Sequence, residues 1–230
     1  MPGVKLLLVI LLAAPPAFAD GWETLHPGVQ YMTFRDGAGQ AFRLDLAKVR
    51  LRIASAEGRE EVADLARGTG ALLAVNGGFF DGDGRPLGLL VSGGRELSRL
   101  RRADWGVLTI DLTGVASVVH VRDFRRTKGL DFALEAGPRL VVAGKPLHLK
   151  DQSDPRTAIG VRPGGRELVL VVVERSVSLT DLARDLAETF GCPDALNLDG
   201  GSSTQLWATS PRVKAVSARP VANAVLVVPR

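Results

Sequence analysis

Two short segments of the sequence end an apolar run on a polar side chain that is followed by two glycines. They are ALLAVNGG (71–78) and DALNLDGG (194–201). Glycine pairs permit positive φ and leave backbone N–H groups uncovered, and consecutive N–H groups form a concave site that suits an anion such as phosphate. A side chain at a strand end is held by a rigid element. We therefore expect Asn76 and Asp199 to lie beside anion-binding glycines, namely Gly77, Gly78, Gly200 and Gly201.

A purely structural explanation competes with this one. Gly-Gly is a common turn dipeptide, and a hairpin turn can need glycine for its geometry alone. The occurrence of the same pattern twice, each time after an apolar strand, favours a functional site. Beside the second glycine pair, the amide of Asn197 and the hydroxyls of Ser202 and Ser203 are further candidate ligand-binding groups.

Two segments between the glycine pairs add candidates. EAGPRLV (135–141) places Glu135 at a strand end before a Gly-Pro turn, and DPRTAIGV (154–161) places Arg156 and Thr157 before another strand. An arginine at such a position either pairs with a carboxylate or clamps a phosphate through two parallel hydrogen bonds. Each segment taken alone is also compatible with a structural role.

The segment DGDGRPLG (81–88) is similar to the start of a calcium-binding loop. Such a loop needs a bidentate glutamate at its twelfth position, where this chain has Ser92. We therefore interpret it as a turn between Phe80 and Leu87. The sequence predicts no cofactor and no metal ligand, and it leaves metal dependence open.

The N-terminus has the pattern of an export signal. Lys5 precedes the apolar run LLLVILLAA, and Ala17-Phe18-Ala19 is a small-x-small cleavage site. The apolar run is shorter than the roughly 20 residues of a membrane span. We expect a signal peptide over residues 1–19, one domain over 20–230, and a periplasmic or secreted protein with no stable membrane insertion after cleavage. An uncleaved N-terminal anchor is the alternative.

Composition limits the classes of function. The chain has a formal charge of +4, and its two tightest basic clusters, residues 99–102 and 125–128, are not interleaved with aromatic residues. Nucleic acid is therefore not an expected partner. Such clusters suit anionic polysaccharide or lipid phosphate, or are simply solvated surface. With one cysteine and three histidines in no ligand spacing, a zinc site or Cys-His pair is not expected, and Cys192 is predicted to be a small buried residue.

The elements that must position these groups are mostly strands. Alternating or continuous apolar runs predict strands over 29–35, 41–46, 50–55, 71–75, 87–92, 106–112, 116–121, 132–135, 139–142, 157–162, 167–174, 195–198, 204–207 and 221–228. The continuous run at 168–174 indicates a central strand buried on both faces.

Helices are predicted over 179–190 and, more weakly, over 59–67. The stronger helix has its apolar residues four apart, a capping residue in Ser178 and a terminating glycine in Gly191. The predicted fold class is α+β, a strand-dominated mixed sheet with a few covering helices in a single domain.

Taken together, these segments resemble the phosphodiester glycosidase family, whose bacterial members are often labelled exopolysaccharide-biosynthesis proteins. The resemblance covers roughly residues 70–228. It rests on AVNGGFFDGDGRPLGLLVSGG, EAGPRLVVAGK, DPRTAIGV, ALNLDGGSSTQLW and RPVANAVLV in this order.

The chain departs from the family pattern at two places. The family commonly has Asp-Gly-Arg after the central strand, where this chain has Glu174-Arg175-Ser176. Many members also carry a third glycine where this chain has Ser202. These departures bear on the choice of substrate more than on the fold.

The resemblance implies cleavage of a sugar-1-phosphodiester at the glycosidic C1–O bond, and hence a carbohydrate phosphodiester as partner. On that reading Asp199 is the carboxylate near the anomeric carbon, as nucleophile, base or electrostatic stabiliser, and Glu135 is the second acid-base candidate. Asn76 would orient sugar or phosphate oxygens. Charge on the phosphate would be stabilised by the glycine amides, Arg156 and the hydroxyl of Ser202 or Ser203.

Two other readings remain. A periplasmic module could bind glycan phosphate without turnover during exopolysaccharide or envelope assembly; two carboxylates near an anionic ligand argue for catalysis instead. A phosphodiesterase attacking phosphorus would normally use metal ligands or a histidine nucleophile, which the small number of histidines disfavours.

Overall fold

The structure is a computed structural model that describes residues 21–230. The predicted export signal, residues 1–19, lies outside the described residues. Between residues 21 and 230, no helix has the length and apolar character needed to cross a membrane.

Seventeen β-strands make up most of the described chain. They are β1 (Glu23–His26), β2 (Val29–Phe34), β3 (Gly39–Asp45), β4 (Val49–Glu60), β5 (Leu73–Asn76), β6 (Leu90–Ser92), β7 (Arg95–Ser98), β8 (Gly106–Asp111), β9 (Ala116–His120), β10 (Leu130–Ala136), β11 (Arg139–Val142), β12 (Lys145–Pro146), β13 (Ser153–Val161), β14 (Glu167–Ser178), β15 (Asp194–Asn197), β16 (Leu206–Ala208) and β17 (Val221–Pro229). Two short helices are α1 (Val62–Ala66) and α2 (Leu179–Arg184).

The strands form three sheets. An eight-stranded sheet has the order β1-β2-β3-β14-β13-β15-β11-β12, a five-stranded sheet the order β7-β6-β10-β8-β9, and a four-stranded sheet the order β16-β5-β17-β4. Every strand pair in the described residues is antiparallel. The expectation of strand dominance is confirmed, but the expected mixed sheet is wrong. A parallel pair needs a crossover connection, usually a helix, and the connections here are mostly short turns and loops.

The inner faces of the three sheets enclose one apolar core, and strand β14 shows why. Its residues Leu168, Leu170 and Val172 point into this core. The alternate residues Val169, Val171 and Val173 point outward, where they pack against Leu182, Leu186 and Phe190 of the helical segment. The prediction of a strand buried on both faces is confirmed. Because side chains alternate, such a strand must be apolar throughout.

The predicted helix over 179–190 is confirmed. Helix α2 continues as a π-helical turn, Asp185–Thr189, and Gly191 follows with φ of 63°. At the other end the Ser178 hydroxyl accepts a hydrogen bond from the Asp181 N–H, as its capping pattern predicted. The weaker helix is shorter than predicted, because β4 runs on through Glu60 before α1 starts.

Three strands were not anticipated, namely β1, β7 and β12. Each is the edge strand of its sheet and is largely exposed, so it lacks the apolar alternation that identifies a strand in sequence. Cys192 is 1% exposed, which confirms the prediction of a buried cysteine.

Candidate active site

The two glycine pairs of the sequence meet in the structure. Asn76 is the last residue of β5, and Asp199 follows the end of β15 by two residues. The Asp199 N–H donates to the carbonyl of Gly77 at 3.1 Å, and the Asn76 side-chain amide donates to the carbonyl of Asp199 at 2.6 Å. The fold therefore brings both turns, from different sheets, to one place.

Asn76 is completely buried, and its polar atoms are all paired within the protein. Besides its bond to Asp199, its Oδ1 accepts from the Thr157 hydroxyl at 2.6 Å and from the Gln205 N–H at 3.1 Å. Thr157 is also completely buried. The structure thus places Asn76 and Thr157 beneath the Asp199 turn, where they tie three segments of backbone together.

The backbone amides of Gly77 and Gly78 are not open. Both donate to Asn223 of β17, Gly77 to its carbonyl at 3.0 Å and Gly78 to its Oδ1 at 2.8 Å. Neither glycine has positive φ. Glycine is needed at 77 for close approach, since a Cβ there would lie 2.0 Å from the Asn223 Oδ1. The expected anion-binding pair of amides at this turn is therefore wrong, because a buried asparagine already uses both.

The second glycine pair is different. The Gly200 N–H donates to Asp199 Oδ1 at 2.9 Å, and Gly201 has φ of 59° at the start of a single 3-10 turn, Gly201–Ser203. Within residues 21–230 the N–H groups of Gly201 and Ser202 find no acceptor. Two adjacent amides are therefore available beside the Asp199 carboxylate.

Asp199 lies in a cleft of about 410 Å³. The cleft is lined by Phe79, Gly137, Pro138, Asp154, Arg156, Leu179, Asn197, Asp199, Gly200, Gly201 and Ser202. Burial raises the pKa of the Asp199 carboxyl, and hydrogen bonds from the Ser203 hydroxyl and the Gly200 N–H oppose that rise. A carboxyl with a raised pKa is better placed to exchange a proton near neutral pH than an exposed one.

Arg156 supplies the positive charge of the cleft. Its Nη2 donates to the Gln152 carbonyl at 2.8 Å and lies 3.3 Å from Asp154 Oδ2. Its Nη1 has no hydrogen-bond partner in the described part of the chain and lies 3.6 Å from where a Cβ on Gly200 would be. Arg156, Asp199 and the free amides of the second turn are thus neighbours.

Glu135 is placed elsewhere. It is 1% exposed and does not line the cleft. Its Oε2 accepts from the Leu89 N–H at 2.8 Å and the Arg101 N–H at 2.9 Å, while Oε1 is buried with no partner among residues 21–230. Burial raises the pKa of this carboxyl, against the lowering effect of the two N–H donors.

Asn197 and the two serines lie around Asp199 in three different ways. The Asn197 amide donates to the carbonyls of Gly137 at 2.9 Å and Leu198 at 2.7 Å, so it ties one wall of the cleft to the strand that carries Asp199. Ser202 is exposed at the cleft, whereas Ser203 is buried against Asp199.

Sequence reasoning missed Asp154, the second carboxylate of the cleft, and the apolar walls Phe79 and Leu179. Asp154 was quoted in the segment DPRTAIGV but not singled out. Its position two residues before Arg156 was the available signal, since a carboxylate so near in sequence can pair with the guanidinium.

Two neighbouring features are structural. Asp81 Oδ1 accepts from the N–H groups of Asp83 and Arg85, both at 2.9 Å, so the segment 81–88 is a turn closed by its own hydrogen bonds, as interpreted from the sequence.

Glu174, which stands where the family commonly has aspartate, lies 2.6 Å from the Lys214 ammonium and accepts a hydrogen bond from the Gln40 side-chain amide. Among residues 21–230 no three His, Cys, Asp or Glu side chains are grouped to hold a metal ion.

Several solved structures have a similar fold, and two of them illustrate the likeness. The zebrafish N-acetylglucosamine-1-phosphodiester α-N-acetylglucosaminidase catalytic domain, auto-inhibited by its pro-peptide, matches with a TM-score of 0.70 and 20% identity over 88% of this chain and 82% of that one. A hypothetical protein from Synechocystis matches with a TM-score of 0.59 and 17% identity over 91% of this chain and 61% of that one.

The sequence itself gives a family match. No protein with a curated function matches the chain. The family model for phosphodiester glycosidase matches residues 69–228, a stretch that contains both glycine pairs and every residue lining the cleft. Because this match covers more than half of the chain, the protein belongs to the phosphodiester glycosidase family.

Proposed function

We propose that this protein hydrolyses the glycosidic C1–O bond of a sugar-1-phosphodiester in a cell-surface or environmental glycan, outside the cytoplasm. One observation carries the proposal. In the cleft, a half-buried carboxylate, Asp199, lies beside the Arg156 guanidinium and the unpaired N–H groups of Gly201 and Ser202. The family and the fold of the zebrafish domain support the same chemistry.

The proposed reaction needs two things from the site. The bond between C1 and the phosphate oxygen breaks, water supplies the hydroxyl at C1, and the phosphomonoester and one proton leave. Positive charge develops at C1 and negative charge on the phosphate. Asp199 stabilises or attacks C1, or activates the water, while Arg156 and the two amides stabilise the departing phosphate.

A second carboxylate is available at the cleft in Asp154. It is paired with Arg156 at 3.3 Å, so it also holds the guanidinium in place. Glu135, the second acid-base candidate from the sequence, would act on the substrate only if the segments that cover it moved, because it is buried outside the cleft. We therefore assign the direct contacts with substrate to Asp199, Arg156 and the N–H groups of Gly201 and Ser202.

The test uses the purified protein and a GlcNAc-1-phosphodiester in ¹⁸O-labelled water. Label at sugar C1 is the expected result and establishes glycosidic cleavage. Label on the phosphate would contradict the proposal and assign the attack to phosphorus. The Asp199→Asn variant is the control for activity from a contaminating enzyme.

A non-catalytic glycan-phosphate binding module is the second candidate. The pairing of Asp154 with Arg156 favours it, since that leaves Asp199 as the one carboxylate of the cleft without a cationic partner. Binding of a panel of sugar phosphodiesters by calorimetry, with no product from any of them, would support this module over the enzyme.

A further inference from the structure

One arginine from each basic cluster of the sequence, Arg102 and Arg125, lines the same cavity in the structure. Residues from the segments 100–104 and 121–125 line a cavity of about 600 Å³, and its charged residues are Arg102, Asp104, Arg122 and Arg125. The segments before β8 and after β9 thus form a second concavity, distinct from the cleft of Asp199.

The segment of chain that contributes to this cavity is rich in basic residues. Residues 95–128 contain eight basic and four acidic side chains, a net charge of +4, which equals the net charge of the full chain. The guanidinium groups of Arg102 and Arg122 are exposed and make no hydrogen bond within residues 21–230. Arg125 is held in place, since its Nη1 donates to the carbonyls of Arg122 and Phe124 at 2.9 and 2.8 Å.

One acidic group, Asp104, lies in the cavity, and its negative charge is offset by neighbouring groups of the protein. Asp104 Oδ1 lies 2.8 Å from His120 Nε2, and Arg122 also attracts this carboxylate. The three arginines therefore leave the cavity with an excess of positive charge. Its floor is apolar, formed by Val121 and Phe124, with Leu100 39% exposed at its rim.

Trp105 links the cavity to the cleft of Asp199. Asp104 lines the cavity, and the next residue, Trp105, packs against Phe79 with 4.9 Å between ring centroids. Trp105 also contacts Gly137, where a Cβ would lie 2.6 Å from its ring. Phe79 and Gly137 both line the cleft that holds Asp199. The cavity and the cleft are therefore near enough for one chain-like ligand to contact both.

We infer that this cavity binds an anionic segment of a polysaccharide, one that bears carboxylate or phosphate groups, next to the bond that is cleaved. The identification of the ligand as part of the substrate rests on the proposed function. Arginines around an apolar, aromatic floor match sugar rings that carry anionic groups. The concave shape favours a glycan over a flat membrane surface.

The test measures binding of fluorescent oligogalacturonate, an anionic glycan, by anisotropy at low salt, with a neutral maltooligosaccharide of equal length for comparison. We expect binding of the anionic probe alone. Arg102→Gln/Arg122→Gln should weaken it about tenfold, because two exposed charge pairs are lost. The control Arg67→Gln/Lys145→Gln, which removes the same charge elsewhere on the surface, should bind as the unaltered protein does.

Further measurements separate this inference from the proposed function. Asp199→Asn should bind the probe normally, and Arg102→Gln/Arg122→Gln should hydrolyse a small GlcNAc-1-phosphodiester normally. Probe binding without any hydrolysis would leave the cavity assignment standing while the proposed enzyme fails. Equal loss of binding in both double variants would overturn the inference, as would binding to phosphatidylglycerol vesicles or single-stranded DNA in place of the probe.

Discussion

At the scale of single residues, the environment of Asp199 has the clearest consequence for the proposed reaction. Burial raises the pKa of its carboxyl. If the ionised form is required, kcat/KM falls on the acid side at a pH above the ordinary range of an aspartate. A pH-rate profile on a sugar-1-phosphodiester measures this, and an acid limb at the value of an exposed aspartate would argue against the assignment.

The Asp199→Asn variant tests the same residue directly. It keeps an acceptor for the Gly200 N–H but removes the charge, so we expect kcat to fall by about 100-fold or more. Thermal unfolding should change little, since burial already disfavours the ionised form. The exposed Asp36→Asn serves as control, and full activity of the Asp199 variant would remove this carboxylate from the mechanism.

Arg156 is expected to bind the phosphate through its planar guanidinium. Arg156→Lys keeps the charge and loses the two-pronged geometry, so KM should rise about tenfold with a smaller change in kcat. Steady-state kinetics measure both, and Arg162→Lys, whose arginine pairs with Glu167, is the matched control. An unchanged KM would place the phosphate away from Arg156.

Glu135 gives a prediction about stability and pH. Burial raises its folded-state pKa, so the folded protein binds more protons than the unfolded chain between the two pKa values. Stability from this group is therefore present at low pH and is lost as pH rises through that window. Glu135→Gln should gain stability relative to the unaltered protein between pH 4 and pH 7, by about 1.4 kcal/mol per unit of pKa displaced. Urea unfolding at both pH values measures it, with the exposed Glu57→Gln as control, and a pH-independent difference would contradict it.

At the scale of elements, the site depends on how β5, β13, β15 and β17 are held at one end. Asn76 of β5 bonds to Thr157 of β13, to the backbone of Gln205 and to the Asp199 turn. Asn223 of β17 uses the amides of the first glycine pair. The side chains of Asn76 and Asn223 therefore hold these strand ends together through hydrogen bonds.

Removing one of these clamps should act on stability first. Asn76→Ala leaves three buried polar groups without partners and should lower the free energy of unfolding by about 2–4 kcal/mol. Thr157→Val removes a single bond and should cost about 1 kcal/mol. Urea unfolding measures both. Loss of activity by Asn76→Ala with unchanged stability would instead make Asn76 a substrate contact, as the sequence suggested.

At the scale of the whole molecule, the described residues contain one cysteine, which is a free thiol and forms no disulfide. The stability of the fold therefore comes from packing of its core. Cys192 lies under α2, and burial raises its pKa to about 12. We expect Ellman's reagent at pH 8 to label the native protein at least ~10³ times more slowly than the unfolded chain, because labelling then needs opening of the fold. Rapid native labelling would show that α2 is loosely packed, and Cys192→Ser provides the blank.

The sequence by itself determined the local features. Side-chain periodicity located the strands that carry the core, the capped helix and the doubly buried β14, because burial imposes its pattern on neighbours along the chain. The paired glycine motifs predicted that Asn76 and Asp199 belong to one region. The three edge strands carried too little buried surface to be seen.

The tertiary structure alone decided which polar groups face the cleft. Asn223 is far from Gly77 in sequence, and only folding revealed that it uses the amides of the first glycine pair. At the second turn the Gly200 N–H is used by Asp199, and the N–H groups of Gly201 and Ser202 find no acceptor within residues 21–230. Glu135 and Asp154 look alike as carboxylates near turns, yet the strand faces place one under cover and the other in the cleft. Contacts between segments distant in sequence decide which of these groups are hydrogen-bonded and which are buried. Such contacts leave no periodic pattern along the chain.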